Sequence, residues 1–203
     1  MENQQINSWS TTTANLYKAV QLFTWCAIAN AVIDCIGGLS DAASLLSGEV
    51  GFGFWDVLGI LATVGVVYGY WLFLKSLDIF KGLVNPADAV AVGKIRLSTI
   101  LTIVGSIVAV IPLIGIAGDI TVFIGWIILF MAYSTLKGST TFPATAVKGM
   151  QKLYTAMVLC LIGWVVDFIP LVGDFVELIL TVIAFFMTLK GWKIISTSEE
   201  PAK

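Results

Sequence analysis

Ile111-Pro112-Leu113-Ile114-Gly115 and Ile169-Pro170-Leu171-Val172-Gly173 are two copies of one short phrase, each set between long apolar runs. Proline disfavours helical conformation at the residue before it and lacks a backbone donor, so Ile111 and Ile169 should each close a helix. Gly115 and Gly173 then permit a reversal, with Gly118-Asp119 or Asp174 following before the chain turns apolar again. Both copies also end alike, at Thr135-Leu136-Lys137-Gly138 and Thr188-Leu189-Lys190-Gly191. Matched turns and matched ends predict two helical hairpins related as an internal repeat. From the first Ile to the Thr there are 24 positions in the earlier copy and 19 in the later one, an excess most simply placed in the turn.

Working outward, apolar runs bounded by charged or turn residues fall at 16–36, 57–74, 97–111, 120–136, 153–169 and 175–189. Runs of fifteen to eighteen helical residues cover only about 22 to 27 Å, against roughly 30 Å of bilayer hydrocarbon. The spans are therefore short, and either extend past these limits or thin the bilayer around them. The first pair of runs, with Ile36-Gly37-Gly38 at its turn and Leu74-Lys75 at its end, reads as a degenerate third copy. The expectation is an all-α polytopic membrane protein of six short transmembrane helices in three hairpins. A polar arm covers 1–15, the hairpins 16–81, 94–138 and 150–192, and a tail 193–203.

Composition supports that class and excludes others. Of 203 residues 58% are hydrophobic and 12% charged, too little polar material to cover a soluble domain. Eleven Lys and Arg against thirteen Asp and Glu leave no basic excess for phosphates, so no nucleic-acid partner is expected. The chain has no His, the commonest acid–base group and metal ligand. Cys26, Cys35 and Cys160 lie in or beside apolar runs and read as small packed residues. Ser134-Thr135-Leu136-Lys137 has no companion catalytic motif, and Gly51-Phe52-Gly53-Phe54 lacks the lysine of a phosphate loop. Neither catalysis, nor a metal, nor a cofactor is expected.

Charge orients the chain. Lys18, Lys75, Lys81, Lys94, Arg96, Lys137, Lys148, Lys152, Lys190, Lys193 and Lys203 all fall near the N-terminus, in the connections after the second and fourth runs, or beyond the sixth. The other three connections hold or adjoin Asp34, Asp41, Glu49, Asp56, Asp119, Asp167, Asp174 and Glu177. Under the positive-inside rule both termini are cytoplasmic, and the stretch 40–52 and the turns at Asp119 and Asp174 face outward. Trp55, Trp71, Trp126, Trp164 and Trp192, with Tyr68 and Tyr70, suit an interfacial belt near the span ends.

Two groups of residues are candidates for function. Asp119, Asp167, Asp174 and Glu177, with Asp34 at the end of the first run, would place a carboxylate near each outer turn, and intramembrane carboxylates suit cations or protons. The competing reading is interfacial decoration, since acids near helix N-termini are favourable anyway. Gly59, Ala62, Gly65 and Gly69 form a row of small residues that lets helices approach closely, with Ala27 and Ala31 as the facing surface on the first helix. Pro112, Gly115, Pro170 and Gly173 carry the turns.

The strings 110–115 and 167–173, each inside a hairpin ending in Leu-Lys, resemble those of small uncharacterised prokaryotic polytopic membrane proteins with Ile-Pro-x-x-Gly hairpins. The resemblance covers roughly residues 95–196 and implies a compact helical-hairpin fold in a prokaryotic inner membrane, with no activity to carry over. Three tandem hairpins also look like mitochondrial carriers in outline, but that family's Pro-x-Asp/Glu-x-x-Lys/Arg signature is missing. The expected function is a structural or accessory subunit of a larger membrane assembly, or a membrane-shaping protein, with lipid and other subunits or further copies as partners. The alternative is a small-cation or proton transporter using the acidic turns.

Overall fold

Every apolar run falls largely within one helix, and each helix reaches past its run on at least one side. The computed structural model describes residues 8–47, 54–109, 111–112, 114–166, 169 and 173–200, without the side chains at 34–35, 38–47 and 173–175. The helices are α1 (Trp9–Ser47), α2 (Phe54–Leu83), α3 (Pro86–Ala109), α4 (Gly115–Leu136), α5 (Ala144–Val166) and α6 (Gly173–Ser196), with no strand among the described residues. All six carry stretches long and apolar enough to cross a membrane.

Of the two outcomes open to the short runs, the helices take extension past the run limits. α2, α3, α5 and α6 run seven to eleven residues past their apolar runs, always on the lysine-bearing side, and α1 begins at Trp9 rather than after a polar arm. The local chemistry explains the start of α3. Asn85 Oδ1 accepts the Ala87 N–H at 3.2 Å, Pro86 takes the first helical position, and Asp88 sits in the first turn, where a negative charge suits the helix dipole. The length difference between the two phrase copies also lies elsewhere than expected. Ile to Gly is the same four positions in both copies, whereas Gly115 to Thr135, within α4, is twenty positions and Gly173 to Thr188, within α6, fifteen, so the excess is helical.

The chain divides into two units, residues 1–17 with 74–203, and residues 18–73. In the larger unit α3 packs along α4 and α5 along α6, while α4 touches α5 lightly. Contact order shows both pairs to be antiparallel. Gly105 lies against Gly118 and Val122, and Gly125 against Ser98 and Leu101; Gly163 lies against Glu177, and Gly149 against Gly191 and Ile195. Backbones nearly touch at two of these crossings, where a Cβ on Gly105 would stand 2.8 Å from the Gly118 carbonyl and one on Gly149 2.7 Å from that of Gly191. Neither site has room for a side chain.

The core of this unit is gathered at the lysine-bearing ends. Trp9 is 1% exposed, its ring 5.1 Å from Phe80 and 5.9 Å from Phe142, and its indole N–H donates to Ser198 Oγ at 3.0 Å. Leu77, Val92, Ile95, Leu136, Met150, Leu153, Trp192 and Ile195 are equally enclosed. Trp192 is thus a packing residue rather than part of a belt. Buried Asp88 accepts hydrogen bonds from the hydroxyls of Ser139, at 2.8 Å, and Thr141, tying the α4–α5 connection to the start of α3. Asp78 Oδ1 and Arg96 Nε, 2.7 Å apart, join α2 to α3 on the surface.

In the smaller unit one face of α1 meets the small-residue row of α2. Cys26 lies against Gly65, Phe23 against Gly69, and Asn30 and Ile33 against Gly59, while Phe23 stacks on Tyr70 at 4.5 Å. Ala62 is half-buried on the same row. Ala27 and Ala31, expected to face it, are instead exposed, because the contacting positions 23, 26, 30 and 33 define a different stripe.

Candidate functional site

At the end away from the lysines, α4, α5 and α6 line a cavity of about 360 Å³. α4 contributes Asp119, Val122, Phe123 and Trp126, the i, i+3, i+4, i+7 series that puts side chains on one helical face. α5 contributes Cys160, Leu161 and Trp164, and α6 contributes Glu177 and Thr181. Asp119 and Glu177 are each the fifth residue of their helix, so the two matched turns deliver two carboxylates to one space.

The cavity is shaped as well as charged. Asp119 is exposed at the rim and Glu177 half-buried. Glu177 lies against Gly163 of α5, where a Cβ would stand 3.3 Å from its Cγ, so the missing side chain at 163 makes room for its stem. Phe123 and Trp164 pack with centroids 5.6 Å apart on the α4 and α5 sides. Trp126 stacks on Phe130 at 5.8 Å, Phe130 meets Tyr154 at 5.0 Å, and Lys137 Nζ stands 3.1 Å above the Tyr154 ring. Aromatic faces therefore run from the carboxylates toward the lysines along α4 and α5.

Of the sequence candidates, the structure brings Asp119 and Glu177 together. Asp167 and Pro170 lie outside the described residues, as do the side chains of Asp34 and Asp174. Pro112 is exposed in its turn, and Gly115 and Gly173 begin α4 and α6. Gly59, Ala62, Gly65 and Gly69 belong to the other unit and line its helix contact. Sequence reasoning treated Trp126 and Trp164 as belt residues and passed over Phe123, Cys160 and Thr181 as cavity lining. Helical spacing from Asp119 would have found Phe123 and Trp126.

The surroundings of the cavity define the class of protein. Ile116 is 76% exposed, Ile107 64% and Leu178 60%, within a band of outward aliphatic side chains far larger than water tolerates. Thr121, Thr135, Thr155 and Thr188 each donate a hydroxyl to the carbonyl four residues back, satisfying their polarity inside their own helix as lipid demands. Six spans with such faces suggest an integral membrane protein. Comparison with family models, with curated proteins and with solved structures returns no match.

Among the described residues no group of three or more His, Cys, Asp or Glu could hold a metal ion. The cavity offers two carboxylates, one hydroxyl and one thiol against a mostly aromatic and aliphatic wall, with no Lys or Arg in the lining.

Proposed function

We propose that the protein is a non-enzymatic integral membrane protein of three helical hairpins, the last two an internal repeat, acting as a structural or accessory subunit of a larger membrane assembly. One observation carries this reading, the burial gradient along the helices. Large enclosed side chains sit near the lysines, while Leu97, Val104, Ile107, Ile124, Ile162 and Val182 present their bulk outward over the remaining length. A chain built this way fixes its helices at one end and offers apolar surface to lipid and to neighbouring chains. The lysine-bearing ends and both termini face the cytoplasm of a prokaryotic cell on this reading. Mass measurement of the native particle in mild detergent tests it. A particle holding several copies or a co-purifying membrane chain is expected, and a bare monomer at all concentrations contradicts it.

The shared cavity of Asp119 and Glu177 favours a second reading, a pathway for small cations or protons. Cation-dependent flux in proteoliposomes, lost when Asp119 becomes Asn and Glu177 becomes Gln, is its expected signature. Equal flux in the double variant contradicts it.

A further inference from the structure

We infer that the cavity between α4, α5 and α6 binds an organic ammonium ion with an apolar body, pairing its charge with Glu177 and Asp119 and its body with Trp126, Trp164 and Phe123. The inference rests on the cation site of the second reading above and goes beyond it in the ligand, an organic cation in place of a small one.

The lining decides among ligands. An anion would meet two carboxylates with no basic side chain to balance them. A hard inorganic cation such as Ca²⁺ takes six to eight oxygen ligands, and two carboxylates with the Thr181 hydroxyl fall short of that set. A polyhydroxylated ligand would find few partners on a wall made largely of rings and aliphatic chains. A cation whose charge is spread over alkyl or aryl groups has the opposite needs. It loses little hydration on entry, is attracted by aromatic faces, and still requires a counter-charge.

Geometry gives the acids different parts. Asp119 at the exposed rim can draw a cation in, while Glu177, held half-buried against Gly163, stands beside the rings. From the start of α4 to Trp126 is eleven residues, about 16 Å along the helix axis at ~1.5 Å per residue. Trp126 therefore lies about halfway along α4, at a depth where lipid walls strengthen ion–ring attraction.

The test is calorimetric titration of the full chain in a maltoside detergent, whose neutral headgroup does not compete. Benzyltrimethylammonium is the probe, with K⁺, Na⁺, Ca²⁺ and benzenesulfonate in parallel. Saturable binding of one benzyltrimethylammonium per chain is expected, weakened about tenfold or more by Glu177→Gln, less by Asp119→Asn, and about threefold or more by Trp126→Leu. Glu177→Asp should retain part of the affinity, and unchanged helical circular dichroism shows that each variant folds. Binding of the probe that is indifferent to all three variants, or matched by benzenesulfonate, overturns the inference. Saturable binding of an inorganic cation without the probe overturns the ligand class and leaves the cation pathway standing. If no cation binds, both fall.

Discussion

The two ends of the α3–α6 unit solve opposite problems with the same helices. At the lysine-bearing end Trp9, Phe80, Phe142 and Trp192 close into an interior, and Asp88 ties a connection to a helix start. At the other end large aliphatic side chains face outward, and two carboxylates share a cavity lined by α4, α5 and α6. The difference follows from the surroundings each end meets. Helix that extends beyond lipid must bury its apolar residues against its own chain, since water drives that burial. Helix inside lipid gains nothing from hiding aliphatic groups, and close backbone approach, as between Gly105 and Gly118, holds it.

That contrast can be broken by substitution, and the largest effect belongs to Trp9. Trp9→Ala removes the ring that Phe80 and Phe142 pack on and the N–H that Ser198 accepts, and should cost about 3–5 kcal/mol. Thermal or denaturant unfolding in detergent would register it, and a loss no larger than that of an outward-facing residue would erase the distinction between the ends. Asp88→Ala comes next, at about 1–3 kcal/mol, because it strands the hydroxyls of Ser139 and Thr141 at the α3 start. Asp88→Asn, which keeps an acceptor, should cost less in the same assay. Smallest of the three is Ile107→Ala at the far end, where the side chain is 64% exposed, with an expected change within about 0.5 kcal/mol.

The crossings sharpen the comparison in another way. Gly149→Leu drives a side chain into the Gly191 carbonyl and Ile195, so α5 and α6 must move apart and the native particle should lose melting temperature. Gly82→Leu, with nothing within 4 Å of its would-be Cβ, serves as the matched control and should melt as the parent does.

The six spans were legible because hydropathy is a long-range signal that any window of the chain carries. Helix ends were not, because tracking apolar runs stops at the first lysine, whereas the start signals of α3, Asn85, Pro86 and Asp88, lie beyond it. The extra residues of the earlier phrase copy went to the turn by the same habit, since nothing in the strings distinguishes a longer loop from a longer helix. Small residues on α2 pointed to a contact, yet the facing stripe on α1 could not be chosen, as that helix mixes polar and apolar residues on every side. As for the cavity, the sequence grouped Asp119 with Asp167, Asp174 and Glu177 by their nearness to the turns. Counting from the helix starts singles out Asp119 and Glu177 as equivalent positions within that group.

All of this depends on the lysine-bearing and carboxylate-bearing ends lying on opposite sides of a bilayer. Single-cysteine labelling measures that directly, in sealed vesicles of known orientation and with Cys26, Cys35 and Cys160 replaced by Ala. Cysteines introduced at Lys81 and Lys148 should react with a membrane-impermeant maleimide only from the cytoplasmic face, and one at Pro112 only from the other. Labelling of all three from a single face would contradict the crossing of the membrane and, with it, the contrast between the two ends.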